Sequence, residues 1–175
     1  MYNYFYNKNI AVDMIPIDAD FSKYDLVAAP VLYMVKDGVA ESLEAYVQAG
    51  GTLITTYMSG IVGQSDNVHL GGYPGPLRKM AGVWVEEIDA LAPEQRNKIR
   101  FADGTEEECR LVCDLMHLEG AEEIAQYESD FYAGMTAVAK NQFGKGTVYY
   151  VGTDLSESGL AKVLAMAADG AASSR

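Results

Sequence analysis

The residues best placed to do chemistry lie where a short β-branched run gives way to a polar loop, at positions 57–60 (YMSG). In open α/β folds ligands bind at the carboxyl ends of strands, and many hydrolases carry their nucleophile there on a tight turn written G-x-S-x-G. Here no glycine stands two positions before Ser59, and no cysteine is near it. The pattern predicts a loop-initiating serine, with Tyr57 and Ser59 as candidate binding residues.

The cysteines and histidines offer a second chemistry. Cys109, Cys113 and His117 follow one another at four-residue spacing, so a nucleophilic Cys–His pair is possible on paper. No second cysteine pair is present, so the spacing does not indicate a zinc site. Free cysteine is among the most buried residue types, and we expect both thiols to be small core residues. An amidotransferase-like hydrolase with a displaced Cys113 or Ser59 nucleophile stays open as an alternative.

Acidic clusters and a glycine-rich loop complete the candidates. Residues 86–89 (EEID) and 106–108 (EEE) could supply the paired carboxylates of glycoside chemistry, although such runs more often form solvated strand edges and turns. Residues 71–76 (GGYPGP) lack the lysine and the glycine order of a phosphate-binding loop. Tyr73 is a candidate contact residue, because loops on rigid scaffolds often carry recognition. A carbohydrate-binding module that uses Tyr73 is therefore another alternative.

Composition narrows the classes of partner. The chain has 175 residues, of which 49% are hydrophobic and 22% charged, as expected of one globular domain. A formal net charge of −12 argues against binding nucleic-acid backbones or anionic membranes. No apolar run reaches about 18 residues, and the start has neither the basic nor the apolar region of a signal peptide. Two cysteines make no disulfide framework, so we expect a cytoplasmic protein without a cofactor or metal.

The elements that must position these residues alternate between strands and helices. The aromatic residues Tyr2, Phe5 and Tyr6 form a helical stripe. Strands are predicted over residues 9–17, 25–30, 52–56, 83–88, 97–114, 120–127, 136–142 and 147–151. One helix is predicted from Gly38, with Asp37 as its cap, to the glycines at 50–51. Another is predicted after a cap at Asp154 or Ser156. This order predicts an α/β domain with a mostly parallel sheet and a partly antiparallel C-terminal edge.

Four stretches, in their order and spacing, resemble the middle, trimerisation domain of glycoside hydrolase family 42 β-galactosidases. They are NIAVDMIPIDADFSKYDLVAAPVLYMV, AGGTLITTYMSGIV, LGGYPGPLRKMAGVWVEEIDAL and NQFGKGTVYYVGTDLS, and the resemblance covers about residues 4–165. It implies a flavodoxin-like, three-layer fold related to class I glutamine amidotransferases, with the nucleophile position vacant around Met58 and Ser59. It also implies a non-catalytic domain that holds three subunits of a retaining β-galactosidase in a ring.

The resemblance carries further expectations. The two catalytic glutamates of the family lie on a preceding TIM barrel, so no residue of this chain is expected to be catalytic, and the barrel is expected as a partner in the same polypeptide. Residues 57–76 are expected to help wall a neighbour's sugar pocket. The family's domain opens with a central strand and a full helix, whereas this chain starts inside that helix. We therefore expect residues 1–175 to be one N-terminally truncated domain that fills the gap by strand exchange, by different pairing or by oligomerising.

Overall fold

The computed structural model describes residues 1–173, which form one nine-stranded sheet with four α-helices. The helices are α1 (Tyr2–Asn7), α2 (Val39–Gln48), α3 (Arg78–Ala81) and α4 (Glu157–Ser173), and a 3-10 turn (Gly75–Leu77) precedes α3. The strands are β1 (Leu26–Ala29), β2 (Thr52–Thr56), β3 (Val83–Ala90), β4 (Asn97–Phe101), β5 (Glu106–Leu118), β6 (Glu122–Tyr127), β7 (Thr136–Phe143), β8 (Gly146–Val151) and β9 (Thr153–Leu155).

The sheet is mixed and largely antiparallel, so the prediction of a flavodoxin-like, mostly parallel α/β domain is wrong. Its strand order is β1-β2-β8-β7-β6-β4-β5-β3, with β9 paired to β5. Only β1, β2 and β8 run parallel, and every other ladder is antiparallel. The physical reason lies in the connections. Parallel neighbours need a long crossover, whereas the links from β3 to β8 are short and have no crossover helix, so they return the chain as antiparallel strands.

The parallel part of the sheet forms as its sequence predicts. Strand β1, helix α2 and strand β2 make one crossover unit, and α2 ends before Gly50, which adopts φ +122°. The predicted Asp37 cap of α2 does not form, because Gly38 in a left-handed conformation is the N-cap and no side chain bonds the first turn. Of the two caps predicted for α4, Ser156 is the one that forms, since its Oγ accepts from the N–H of Gly159 at 3.1 Å.

Apolar layers cover both faces of the parallel strands. On one face Leu43 and Val47 of α2 pack in a cluster with Leu53 of β2. On the other face Ile54, the next residue of β2, packs in a cluster with Leu164 of α4. All five residues of β2 are buried. This is the burial expected of a central parallel strand, and it fixes the end of β2 as a rigid base for the loop that follows.

The strand predicted over residues 9–17 does not form. These residues run without a partner in the sheet, and β1 is left as an edge strand. Their alternating sequence is a strand pattern, but a strand needs a neighbour with which to share backbone hydrogen bonds. The aromatic stripe before them does form α1, in which Phe5 is buried while Tyr2 and Tyr6 stack with their ring centroids 5.9 Å apart.

Candidate functional site

Ser59 lies on a tight turn beyond β2, but its hydroxyl makes hydrogen bonds within the fold. Met58, just before it, has a left-handed backbone with φ +57°. Ser59 is 0% exposed, and its Oγ accepts from the N–H of Leu32 at 3.0 Å. The Thr55 hydroxyl donates to the same oxygen at 2.9 Å. The side chain ties the turn to the segment after β1, an arrangement that supports a structural role for Ser59.

Tyr57 extends the parallel ladder and lines a groove of about 620 Å³ beside β1. Its N–H donates to the carbonyl of Val151 at 2.7 Å, continuing the β2–β8 pairing by one residue. The side chain is half-buried, and burial raises the pKa of the Tyr57 phenol, with the charge of Asp154 acting in the same direction. Tyr57 therefore keeps its proton at neutral pH and can offer a hydroxyl donor and an aromatic face.

Tyr73 is fixed by its backbone. Its N–H donates to the carbonyl of Val85 at 3.3 Å, and the N–H of Val85 donates back at 2.8 Å. The ring is half-buried and packs against the cluster that contains Leu43. Tyr73 therefore joins the loop to β3, and its role as a contact residue stays a prediction.

The exposed apolar residues of the same loop were missed by sequence reasoning. Leu70 is 97% exposed and Val68 is 55% exposed. The loop that carries them is well held, because the N–H of His69 donates to the carbonyl of Ile61 at 3.0 Å and Arg78 Nη1 donates to the carbonyl of Gly71 at 2.7 Å. A signal was available, since Leu70 is a large aliphatic residue next to two glycines in a loop rich in glycine and polar residues.

An aromatic and charged shelf lies at the end of this loop. We use "shelf" for Arg78, Trp84, Glu86, His117 and Glu119. The Trp84 and His117 rings stack at 4.9 Å, and the Arg78 guanidinium lies 5.3 Å from the Trp84 ring. Arg78 Nε donates to Glu119 at 2.6 Å, and His117 bonds Glu86 at 2.8 Å.

The loop packs directly on this shelf. A Cβ added to Gly72 would come within 2.0 Å of Trp84 Nε1, so only glycine allows this approach. Tryptophan and arginine are enriched at protein interfaces, and a rigid loop beside them is a suitable contact surface.

The cysteines and His117 do not form a nucleophilic pair. Cys109 and Cys113 are buried in the same cluster, as predicted, and Cys113 Sγ lies 3.8 Å from Thr153 Oγ1. A hydrogen bond to Cys113, together with burial, raises the pKa of the Cys109 thiol. His117 instead bonds Glu86, so neither thiol has a histidine base. Within residues 1–173, no group of three His, Cys, Asp or Glu side chains is placed to bind a metal ion.

We expect both thiols to resist labelling in the folded chain. Cys109 is 1% exposed and Cys113 is 0% exposed, so a reagent such as a maleimide reaches them only when the fold opens. The labelling rate at pH 7 should be at least about 100-fold lower in buffer than in 6 M guanidinium. Fast labelling of Cys113 in buffer, with a thiolate-like pH profile, would instead support the amidotransferase-like alternative.

One buried carboxyl was not anticipated. Asp114 in β5 is 1% exposed, and its Oδ2 accepts from the Tyr150 hydroxyl at 2.7 Å. Its Oδ1 has no hydrogen-bond partner within the described residues. Burial raises the pKa of the Asp114 carboxyl to about 7. The group is therefore mostly neutral below pH 7, in a sheet interior where a charge would be costly.

Comparison with known proteins shows to which family the chain belongs. A sequence model described as "Beta-galactosidase trimerisation domain" matches residues 1–173. The chain belongs to this family. The β-galactosidase LacA of Lactobacillus acidophilus is 51% identical over 162 residues, which are 93% of this chain and 24% of that protein. The β-galactosidase BgaB of Geobacillus kaustophilus is 47% identical over 163 residues, again 93% of this chain and 24% of that protein.

Solved structures of the family share the mixed sheet. The β-galactosidase of Bacillus circulans sp. alkalophilus matches with a TM-score of 0.91 and 44% identity, over 94% of this chain and 25% of that one. The enzyme of Rahnella sp. R3 matches with a TM-score of 0.89 and 43% identity, over 94% and 26%. The chain therefore spans about a quarter of the length of its curated relatives. In residues 1–173, no helix is long and apolar enough to cross a membrane.

Proposed function

We propose that this chain is the non-catalytic oligomerisation domain of a retaining β-galactosidase. In this proposal the domain holds subunits in a trimer, while a TIM-barrel domain of the same polypeptide hydrolyses terminal β-galactosides. The match of residues 1–173 to a family described by trimerisation is the observation that carries it. The burial of Ser59 and Cys113, the two candidate nucleophiles, supports the absence of chemistry in this domain.

We assign the trimer contact to the shelf and to Val68 and Leu70 at the tip of the loop after β2. A ring of three requires a contact between two different surfaces that closes by rotation. Val68 and Leu70 offer one such surface, because they are large, apolar and held on a fixed loop. Burying one leucine side chain contributes about 1.5–3 kcal/mol, and the contact is repeated three times in the ring. The loop of residues 57–76 follows the end of strand β2. This position supports the proposal that the loop helps wall a neighbour's sugar pocket.

Replacing Leu70 with glutamate is expected to dissociate the trimer. A charge in a buried contact must be desolvated without a partner, so the dissociation constant should rise at least about 100-fold. Light scattering over a concentration series measures this. The control is Phe131→Glu, which introduces the same charge at a site that is also exposed, at 72%.

Failure of the contact surface and failure of self-assembly would give different results. A trimer that survives Leu70→Glu would contradict the contact surface and leave the assembly role standing. An unmodified chain that stays monomeric at every concentration would contradict self-assembly by this domain.

The location of the protein, the extent of the domain and its binding residues are also part of this proposal. Two free, buried cysteines are compatible with a reducing cytoplasm, which we propose as the location. We also propose that residues 1–175 are one domain of a longer polypeptide. Tyr57, Ser59 and Tyr73 stay candidate binding residues, and a galactose titration followed by NMR would test Tyr57 and Tyr73 directly.

A further inference from the structure

Strand β5 carries a bulge where it pairs with β9. Cys109 of β5 is in register with Leu155 of β9. Cys113, four residues later on β5, is in register with Thr153, which is only two residues away on β9. The extra residues of β5 lie between Arg110 and Cys113, where the register shifts. The bulge therefore shortens the distance between the two cysteines along the sheet.

This shortening brings the two cysteines within the range of a disulfide. Four steps along a regular strand span about 13 Å, whereas two steps span about 6.6 Å. The Cα atoms of disulfide-bonded cysteines lie about 4.4–6.8 Å apart. Because their partners on β9 are two residues apart, Cys109 and Cys113 also point to the same face of the sheet, in one apolar cluster. Their thiols are hydrogen-bonded to each other.

The residue between the cysteines has an unfavourable backbone conformation. Leu111 has φ +70°, a left-handed conformation that residues with a Cβ rarely adopt. Its carbonyl accepts from the N–H of Leu91 at 2.9 Å, so the bulge is joined to the end of β3. Leu111 is 54% exposed, so the chain reaches the surface between the two buried cysteines. Strain that persists in a fold often marks a functional position.

The two thiols also differ in acidity. A hydrogen bond from Cys109, with another from Thr153, lowers the pKa of the Cys113 thiol, while burial opposes this shift. The bond between the thiols and burial both raise the pKa of the Cys109 thiol. Cys113 is therefore the thiol that reaches the nucleophilic thiolate form, and Cys109 is the neighbour that can react with its oxidised product.

We propose that Cys109 and Cys113 form an intramolecular disulfide when hydrogen peroxide oxidises the pair. The Cys113 thiolate attacks one peroxide oxygen, and the O–O bond breaks to give a sulfenic acid and hydroxide, which takes up a proton and becomes water. The Cys109 thiol then attacks the sulfenic sulfur, and its proton leaves with the sulfenic oxygen as a second water. Two thiols and one peroxide thus give one disulfide and two waters, and two electrons pass from the sulfurs to the peroxide oxygens.

The disulfide should hold β5 and β9 together at the bulge. Two hydrogen bonds join these strands on either side of it. The N–H of Asp114 donates to the carbonyl of Gly152 at 2.7 Å, and the N–H of Ser156 donates to the carbonyl of Glu108 at 2.9 Å. Amide exchange at Asp114 and Ser156, followed by NMR, should be at least about tenfold slower in the disulfide form. Hydrogen peroxide is only slightly larger than water, so a brief opening of the bulge admits it while a maleimide stays excluded.

Intact mass spectrometry of the folded chain tests the reaction. Peroxide at neutral pH should lower the mass by about 2 Da, and dithiothreitol should restore both thiols. Cys109→Ala removes the second thiol, so Cys113 should stop at the sulfenic acid, which dimedone traps. Cys113→Ala removes the same volume and leaves the less acidic thiol, so oxidation should be at least about tenfold slower than in the unmodified chain. Circular dichroism checks that both variants are folded, and the mass change of the unmodified chain tests the proposal without them.

Four results would overturn the proposal. The first is a folded chain that keeps both thiols at a peroxide dose that oxidises the chain unfolded in guanidinium. The second is a gain of about 32 Da, because a sulfinic acid forms where no second thiol closes the disulfide. The third is a disulfide between two chains, which would show that the pair cannot close within one. The fourth is unchanged exchange at Asp114 and Ser156, which would show that the disulfide does not hold the bulge.

Discussion

Replacing Asp114 with asparagine should stabilise the fold at pH 8 by on the order of 2–4 kcal/mol. At that pH the buried carboxyl of the unmodified chain is charged, and its Oδ1 has no partner within residues 1–173. Asparagine removes the charge and keeps an oxygen that can accept from Tyr150. An unpartnered amide group in the interior costs less than an unpaired charge. The substitution should therefore be stabilising although it changes a buried residue.

The pH dependence has a definite sign. The pKa of Asp114 is raised from 3.8 in the unfolded chain to about 7 in the fold. Below about pH 4 the carboxyl is protonated in both states, and its contribution to stability is fully present. As pH rises from about 4 to about 7 only the unfolded state loses the proton, so the free energy of unfolding falls by up to about 1.4 kcal/mol per pH unit. Above about pH 7 this loss is complete.

Exposed carboxyls affect the stability of the fold over a different pH range. Hydrogen bonds from Lys162 and Arg78 lower the pKa of Asp103 and Glu119 respectively. Their contribution to the free energy of unfolding is lost as pH falls below the usual pKa range of a carboxyl. This loss therefore does not overlap the decrease caused by Asp114, which occurs as pH rises.

Urea unfolding at half-unit steps from pH 4 to pH 8 measures the effect. The slope between pH 4 and 7 should be present in the unmodified chain and absent in Asp114→Asn. Tyr150→Phe is the companion variant, because it removes the donor that lowers the pKa of Asp114 and should extend the fall to higher pH. Equal slopes in the unmodified chain and Asp114→Asn would show that another group causes the dependence.

Replacing Gly60 with alanine should destabilise the fold by about 3–5 kcal/mol. Gly60 has φ +66°, and a Cβ added there would lie 1.9 Å from the carbonyl oxygen of Pro74. The colliding atom belongs to the backbone and cannot rotate away as a side chain would. The two ends of the loop must therefore separate, and the exposed Leu70 between them would lose its fixed position.

A glycine in the same loop provides the control. Gly71 has φ +96°, but a Cβ there would meet no atom within 4 Å. Gly71→Ala should therefore cost only the backbone strain, about 1–2 kcal/mol. Thermal and urea unfolding of both variants measure the difference. If Gly60→Ala is no worse than Gly71→Ala, the close approach of the two loop ends does not constrain the fold.

Local elements of this fold could be predicted, but the direction in which strands pair could not. The end of α2 at the glycines 50–51, the β-branched strand β2 and the strands over 136–142 and 147–151 rest on local signals, and each forms as predicted. The sequence also predicts strands over 97–114 and 120–127, where β4, β5 and β6 form. Their antiparallel arrangement depends on which distant segments meet, as with Ile99 against Tyr127, and no local pattern encodes this.

Residue type alone does not decide which side chains of the loop after β2 reach the surface. Sequence patterns single out the loop after β2, because strand ends are common functional positions. They favour Ser59 and Tyr73 by residue type, yet burial and backbone pairing decide which side chains reach the surface. Leu70 is exposed and Ser59 is enclosed only because the loop is folded back by the pairing of Val62 with Val68 and by the approach of Gly60 to Pro74. Such contacts join residues several positions apart and become visible only in three dimensions.

The parallel ladder between β2 and β8 has a consequence for biosynthesis. Thr52 pairs with Thr147, and the strands β3 to β7 lie between these two residues in the chain. A contact between residues so far apart is entropically costly and forms late. On a ribosome, β2 must therefore wait without its second neighbour until β8 has been synthesised and has left the exit tunnel. During that interval the face of β2 that later packs on α4 is exposed, so this is the stage at which a chaperone would have the most to protect.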